Sequence, residues 1–182
     1  MKKIDFFQNL KKYRKYIIYS GRSELKSEVA ESHLSWLWWI LDPLLFMIVY
    51  TFVALVVFGK GEKYFATFIF LGYNSFRFFE KTLKASVKLI NTNRGMISKV
   101  YVPKYILLFT EIYVEGFKLA ISFLLVLVTI FIYGVPFSWT MFYFFPLLLL
   151  LIVLTFGLSS ILMHFGVYVQ DLSNVITVLL RL

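Results

Sequence analysis

The chain has no cysteine, so it offers no disulfide framework, no thiolate metal site and no thiol catalysis. It has no GxxxxGK[ST] phosphate loop, so it does not hydrolyse nucleotide by that route, and it shows no HExxH or paired metal-ligand spacing. Acidic residues number 10 against 19 Lys and Arg, a formal net charge of +9. That excess does not point to nucleic acid, because the basic residues sit in blocks between apolar runs, the pattern of cytoplasmic membrane flanks. What the chain has in quantity is apolar surface. With 60% hydrophobic residues, 20% aromatic and a mean hydropathy of +0.78, it exceeds what a soluble domain of 182 residues can bury, which makes it an integral membrane protein. The first part of the chain holds only a short "YIIY" apolar patch amid charges, so no cleaved signal peptide is expected.

In "MKKIDFFQNLKKYRKYIIYS", Phe6, Leu10, Tyr13 and Ile17 follow at spacings of four, three and four, one face of a helix. Lys11, Lys12, Arg14 and Lys15 occupy the other face. This predicts a helix lying in the membrane interface, apolar side in the headgroups; the alternative is a disordered basic tail. Residues 1–35 then form an interfacial helix and linker, and residues 36–182 the transmembrane domain. A first span from about Trp36 to Phe58 would be roughly 35 Å long, enough to cross with some tilt. The next stretch, Tyr64 to Phe79, is interrupted by Asn74, Ser75 and Arg77 and spans only by continuing toward Lys81 and Lys84 with its polar side against protein or water. A third span begins after Pro103 and runs to Tyr133, and a fourth runs from about Phe137 to Tyr168, tolerating Pro146. A fifth begins near Val175, where the chain is close to its last residue, Leu182. The expected fold is therefore an all-α integral membrane protein: an N-terminal amphipathic helix, four complete transmembrane helices and the start of a fifth. The basic blocks Lys2 to Lys26 and Arg77 to Lys104 place the N-terminus and the second loop in the cytoplasm.

"SHLSWLWWILDPLLFMIVYTFV" puts three tryptophans and an Asp-Pro at the front edge of the first span. Trp36, Trp38 and Trp39 fit an aromatic belt. Asp42 is costly inside the span unless partnered, and Pro43 cannot donate a helical hydrogen bond, so a break between an interfacial helix and the span proper is expected there. On the third segment Glu111, Glu115 and Lys118 form one stripe. Arg77 and Lys81, four apart on the antiparallel second segment, are expected to pair with Glu111 and Glu115; the alternative is separate hydration at the inner surface. His33 lies in a charged flank and is expected to be solvated. His164, in "LMHFGVY", is open to two readings: a catalytic base of a membrane transferase, or a hydrogen bond to a neighbouring helix.

These residues resemble a family. "RSELKSEVAESHLSWLWWILDPLL" is similar to the N-terminal signature of membrane subunits of type-two ABC exporters that move O-antigen, capsule or teichoic-acid polymers, through Lys26, Ser32, Leu34, Leu37, Trp38, Leu41 and Pro43. "NRGMISKVYVPKY" resembles the family's cytoplasmic turn through Ile97, Lys99, Val100, Pro103 and Lys104, and "GVYVQDLSNV" its segment after the fourth span through Asp171. Glu28, Val29, Ser35 and Gln170 depart from the pattern, and the chain stops short of the family's six spans.

The resemblance implies the membrane half of an ATP-driven exporter of lipid-linked polysaccharide in the bacterial inner membrane. It would work as a homodimer among membrane lipids with an ABC ATPase subunit that holds ATP and Mg; this chain itself would carry no cofactor and no metal, and no nucleic-acid partner is expected. Asn91 to Lys99 would form a short coupling helix, with Asn91, Asn93, Arg94, Met96, Ile97 and Lys99 at its contact and Gln170 and Asp171 at a second; the alternative for the segment is a plain basic loop. Trp36, Trp38, Trp39, Asp42 and Pro43 would form the interfacial and gating signature. Phe46, Tyr50, Phe68 and Tyr73 would line a path for sugar rings, unless they face lipid or pack. A membrane transferase using His164 and a non-transporting scaffold subunit are the competing readings.

The orientation is testable because the chain has no cysteine of its own. In intact cells an impermeant thiol reagent should label Gly61→Cys and Ser138→Cys and leave Thr92→Cys untouched. Labelling of Thr92→Cys overturns the orientation.

Overall fold

The computed structural model describes residues 3–30, 34–59, 64–99, 102–136, 138–169 and 171–180. Among them every regular element is helical: α1 (Lys3–Ala30), α2 (Ser35–Phe58), α3 (Phe65–Thr92), α4 (Arg94–Ile97), α5 (Lys104–Tyr133), a 3₁₀ turn (Trp139–Tyr143), α6 (Phe144–Phe165) and α7 (Leu172–Leu179). Glu31, Ser32, His33, Lys60 to Lys63, Val100, Phe137 and Gln170 lie outside the described residues.

Among the described residues three stretches are long and apolar enough to cross a membrane: Trp36–Val56, Lys104–Tyr133 and Met141–Phe165. They make this a multi-pass membrane protein. The expected second span is part of α3, which runs unbroken through Arg77 as a crossing there would require, but its polar residues keep it from joining the three. Hydroxyl and amide groups in the long helices bond back to their own backbone: Asn74 Nδ2 donates to the Phe70 carbonyl at 2.7 Å, Thr110 to Ile106 at 3.1 Å and Ser122 to Lys118 at 3.1 Å. Such back-bonding hides polar hydrogens without needing water. Gly59 and Gly134, both at φ 61°, end α2 and α5 in the left-handed conformation that residues with a Cβ resist.

Two expectations about the helices are corrected. The break at Asp42-Pro43 does not occur: α2 continues through Pro43, whose ring is fully buried. Proline removes one backbone donor and not the whole ladder, and in an apolar medium the flanking helical bonds are too valuable to give up. The fourth span is a true α-helix only from Phe144. Pro146 falls in its first turn, where no backbone N–H has an intrahelical partner to lose.

The chain divides into two compact units. The first comprises residues 1–27, 80–115 and 153–182. Its core is Leu89, Val102, Ile106, Leu107, Leu108 and Met163, against which Leu10, Tyr13, Tyr16 and Ile17 of α1 pack. The apolar face of α1 is thus turned to protein where headgroups were expected, and the helix is longer than its amphipathic repeat, reaching Ala30. Burying that face against a preformed apolar surface removes more of it from water than lying in the interface does. Lys11, Lys12, Arg14 and Lys15 stay exposed. The second unit comprises residues 28–79 and 116–152, with Ala54, Ala66, Phe70, Phe78, Leu119 and Val126 buried. Ile48, Val49, Phe52, Leu55 and Val56 of α2 are exposed, as side chains meeting lipid tails are.

In the first unit a Cβ on Gly166 would come within 2.2 Å of the Val87 carbonyl oxygen, a backbone atom that cannot swing away. Gly166→Ala should therefore destabilise the protein by about 1–3 kcal/mol. Gly157→Ala, with nothing within 4 Å of the new methyl, should be neutral or slightly stabilising. Thermal unfolding in detergent, followed by far-ultraviolet circular dichroism, compares the two.

Candidate functional site

On α2, Asp42, Phe46 and Tyr50 recur every four residues; on α3, Tyr73 and Arg77 are four apart. The two stripes meet inside the second unit. The Arg77 guanidinium pairs with the Asp42 carboxylate. One turn along, Phe46 stacks on Tyr73 with ring centroids 4.5 Å apart and 17° between planes, and Tyr50 stacks on Phe46 at 5.9 Å. Residue numbers rise on α2 as they fall on α3, so the helices are antiparallel here. The Arg77 side chain is 19% exposed and that of Asp42 38%, so the pair is sheltered more on its cationic side.

This corrects the partner expected for Arg77, which pairs with an acid of the first span and not with Glu111 or Glu115 of the third segment. Asp42 entered the sequence reading as an acid that needs a partner, and Arg77 as a base that needs shelter. The depth at which α3 crosses α2 brings the two together, and that depth is not readable from spacing within either segment. Glu111 and Glu115 are both buried, so the charged half of α5 lies against protein. Lys118, third in their stripe, donates to the Glu28 carboxylate at 2.7 Å. Trp36 and Trp38 are half exposed, as belt residues are, whereas Trp39 packs edge-on against Phe117 with centroids 6.3 Å apart. Phe68 is 74% exposed, away from the Phe46 stack.

The segment expected to couple to a partner lies in the first unit and is built in two faces. Asn93 Nδ2 donates to the Leu89 carbonyl at 2.9 Å, closing the end of α3, and α4 follows as one short turn. Met96 and Ile97 pack on the core, and the Tyr16 hydroxyl of α1 donates to Met96 Sδ at 3.2 Å. Arg94, Gly95, Ser98 and Lys99 point outward. Ile97, expected as a contact residue, is partly buried against that core, while Arg94 and Lys99 are exposed. The Tyr16 contact was not anticipated; its one sequence signal is that Tyr16 lies beside Ile17 on the apolar side of α1.

Asp171 is exposed at the start of α7, where its carbonyl accepts from the backbone N–H of Asn174 and Val175. Gln170, expected beside it, lies outside the described residues. His164 is exposed, with the ring edges of Phe165 and Tyr168 about it at 5.8 and 6.0 Å, and among the described residues it makes no hydrogen bond to a neighbouring helix. Among the described residues no three of His, Cys, Asp and Glu gather as a metal site would need.

The chain is 28% identical over 179 residues to the O-antigen export system permease protein RfbA of Myxococcus xanthus, covering 98% of this chain and 69% of that protein. Two O-antigen export system permease proteins RfbA of Klebsiella pneumoniae are 24% and 23% identical to it over 155 residues, covering 85% of this chain and 60% of theirs. The chain thus spans 60 to 69% of the length of these relatives. No family model matches it.

Removing one member of a sheltered ion pair strands the other. Asp42→Arg and Arg77→Asp should each lower the folded yield, at a cost of about 2–3 kcal/mol, and the double exchange should restore much of it. Size-exclusion profiles of a fluorescently tagged chain measure this. Additive losses in the double variant would show that the pair contributes nothing to folding.

Proposed function

We propose that this chain, homologous over nearly its whole length to O-antigen export system permeases, is the membrane subunit of an ATP-driven exporter of lipid-linked polysaccharide. The match over 98% of the chain carries the reading. The three apolar spans and a sequence without a phosphate loop agree with a transport subunit whose energy comes from a separate ATPase. In this reading the protein sits in the bacterial inner membrane with its N-terminus in the cytoplasm, α3 makes a fourth crossing, and a second copy completes the conduit. ATP and Mg belong to the partner subunit. Capsule and teichoic-acid polymers stay within the substrate class beside O-antigen.

The working parts follow from the two helical stripes and the short turn. Trp36, Trp38 and Trp39 hold the entry of α2 at the interface, while Asp42 and Arg77 tie α2 to α3 behind Pro43. Phe46, Tyr50, Phe68 and Tyr73 offer flat apolar faces over which sugar rings can slide. Asn91, Asn93 and Arg94 to Lys99 contact the ATPase, Met96 and Ile97 from behind as anchors and Arg94 and Lys99 directly; Gln170 and Asp171 supply a second contact. Lys81 shields the buried Glu111 and Glu115.

An exposed double substitution separates coupling from folding, because Arg94 and Lys99 do not touch the core. Arg94→Asp with Lys99→Asp should leave membrane yield intact and return the rate of a co-purifying ATPase toward its unstimulated value. Ile97→Asp should instead lower the yield itself, by burying a charge in the core. Failure of any ATPase to co-purify with the unaltered chain, or unchanged stimulation in the double variant, counts against the assignment.

A further inference from the structure

Residues 119–163 contain no Asp, Glu, Lys, Arg or His, and the turn between the α5 and α6 spans lies inside that stretch. A loop that projects into water is ordinarily polar. This one, "YGVPFSWTM", offers Ser138 and Thr140 as its only hydroxyl side chains besides Tyr133. Its rings face outward: Trp139 is 83% exposed, Tyr143 69% and Phe142 52%, with Trp139 stacked on Phe142 at a centroid distance of 5.6 Å. The backbone behind them is held. Phe144 packs edge-on against Phe123 of α5 with centroids 4.9 Å apart, and the Tyr64 hydroxyl donates to the Gly134 carbonyl at 3.4 Å. The fold itself therefore presents the three rings.

An exposed aromatic cluster marks a contact, and its position says with what. The spans Lys104–Tyr133 and Met141–Phe165 end on either side of Trp139, so the cluster stands at the height where hydrocarbon gives way to headgroups. It also continues the exposed apolar stripe of α5, Leu124, Val128 and Phe131, which in a membrane-spanning helix meets lipid. The indole N–H of Trp139 and the hydroxyl of Tyr143 make no hydrogen bond among the described residues. A ring in acyl chains with its polar tip in ester carbonyls and water is the arrangement that draws tryptophan and tyrosine to a bilayer boundary. We propose that the Trp139–Tyr143 turn is seated in the glycerol-ester layer of the phospholipid leaflet at that end of the spans, the outer leaflet in the orientation read from the basic blocks. A saccharide platform would need polar side chains placed around the rings, which Val135, Pro136 and Met141 do not supply. The seat also gives a reason for the fourth span to be α-helical only from Phe144: the five residues of the 3₁₀ turn run along the boundary before the chain enters the hydrocarbon. The proposal rests on the membrane placement of the chain and is independent of what the chain transports.

Tryptophan fluorescence of the chain in phosphatidylcholine vesicles tests the seat. With Trp36→Phe, Trp38→Phe and Trp39→Phe, Trp139 is the sole tryptophan. Phosphatidylcholine brominated high in its acyl chains, next to the glycerol, should remove most of the Trp139 emission. Lipid brominated near the chain ends should remove less, and iodide present on both sides of the bilayer should remove little. Because Trp39 packs on Phe117, the same order is also read as the difference between the unaltered chain and Trp139→Phe, which keeps every other tryptophan in place. Quenching that is greatest from the chain ends puts the turn in hydrocarbon and overturns the proposal. Quenching by iodide with none from either lipid puts the turn in water and overturns it equally. So does an emission shift on adding a soluble oligosaccharide with no quenching by either lipid, which assigns the rings to sugar.

Discussion

A carboxylate and a guanidinium carried into an apolar phase are tolerable only together, and the second unit is arranged around that condition. The cost of a lone charge near the membrane centre is about 2.5–3.5 kcal/mol on insertion scales, a large fraction of the stability of a small domain. Pairing Asp42 with Arg77 lowers it and at the same time sets the register of α2 against α3. Once that register is set, Phe46 falls opposite Tyr73, one turn away on both helices. Pro43, next to Asp42 in the chain, is fully buried. A single electrostatic requirement thereby accounts for an acid, a base and two stacked rings.

The first unit answers a different constraint. On α1 the outward surface is basic and the inward surface apolar, because a helix with a four-three-four apolar repeat separates them automatically. The same division recurs in miniature at α4, where Met96 and Ile97 face the core and Arg94 and Lys99 face out. Four residues make too short a helix to persist alone. The turn holds its shape through the Asn93 amide on one side and the Tyr16–Met96 contact on the other, so its presentation depends on α1 as much as on its own sequence.

Much of this was legible in the sequence, and what was not has a physical reason. The ends of α2 and α5 were readable because Gly59 and Gly134 follow unbroken apolar runs, and the start of α5 because Pro103 precedes one. The continuity of α2 through Pro43 was not: proline is a reliable breaker in water, where a freed carbonyl finds a solvent donor, and a weak one where no such donor exists. The amphipathic face of α1 was correctly drawn, but periodicity says only that a face is apolar, never whether lipid or protein covers it. Arg77 was rightly marked as needing a partner and matched to the wrong helix. Spacing of four on two segments makes each a stripe, and stripes on three segments can be paired more than one way.

The stacking geometry also sorts the aromatic residues proposed to meet sugar. Phe46 stacks closely on Tyr73 and more loosely on Tyr50, so a sugar ring reaching it competes with those neighbours. Tyr73 is committed on one face to the closer of those contacts. Tyr50, half exposed and at the looser end of the stack, and Phe68, exposed over most of its surface, are the more accessible of the four. If apolar ring faces carry the polymer, Tyr50 and Phe68 bear the contact and Phe46 and Tyr73 hold Tyr50 in place. Those two duties differ in what they tolerate: a supporting ring needs only its flat shape and volume, whereas a contacting ring gains from the tyrosine hydroxyl as well, which can bond to sugar oxygens at the edge of the stack.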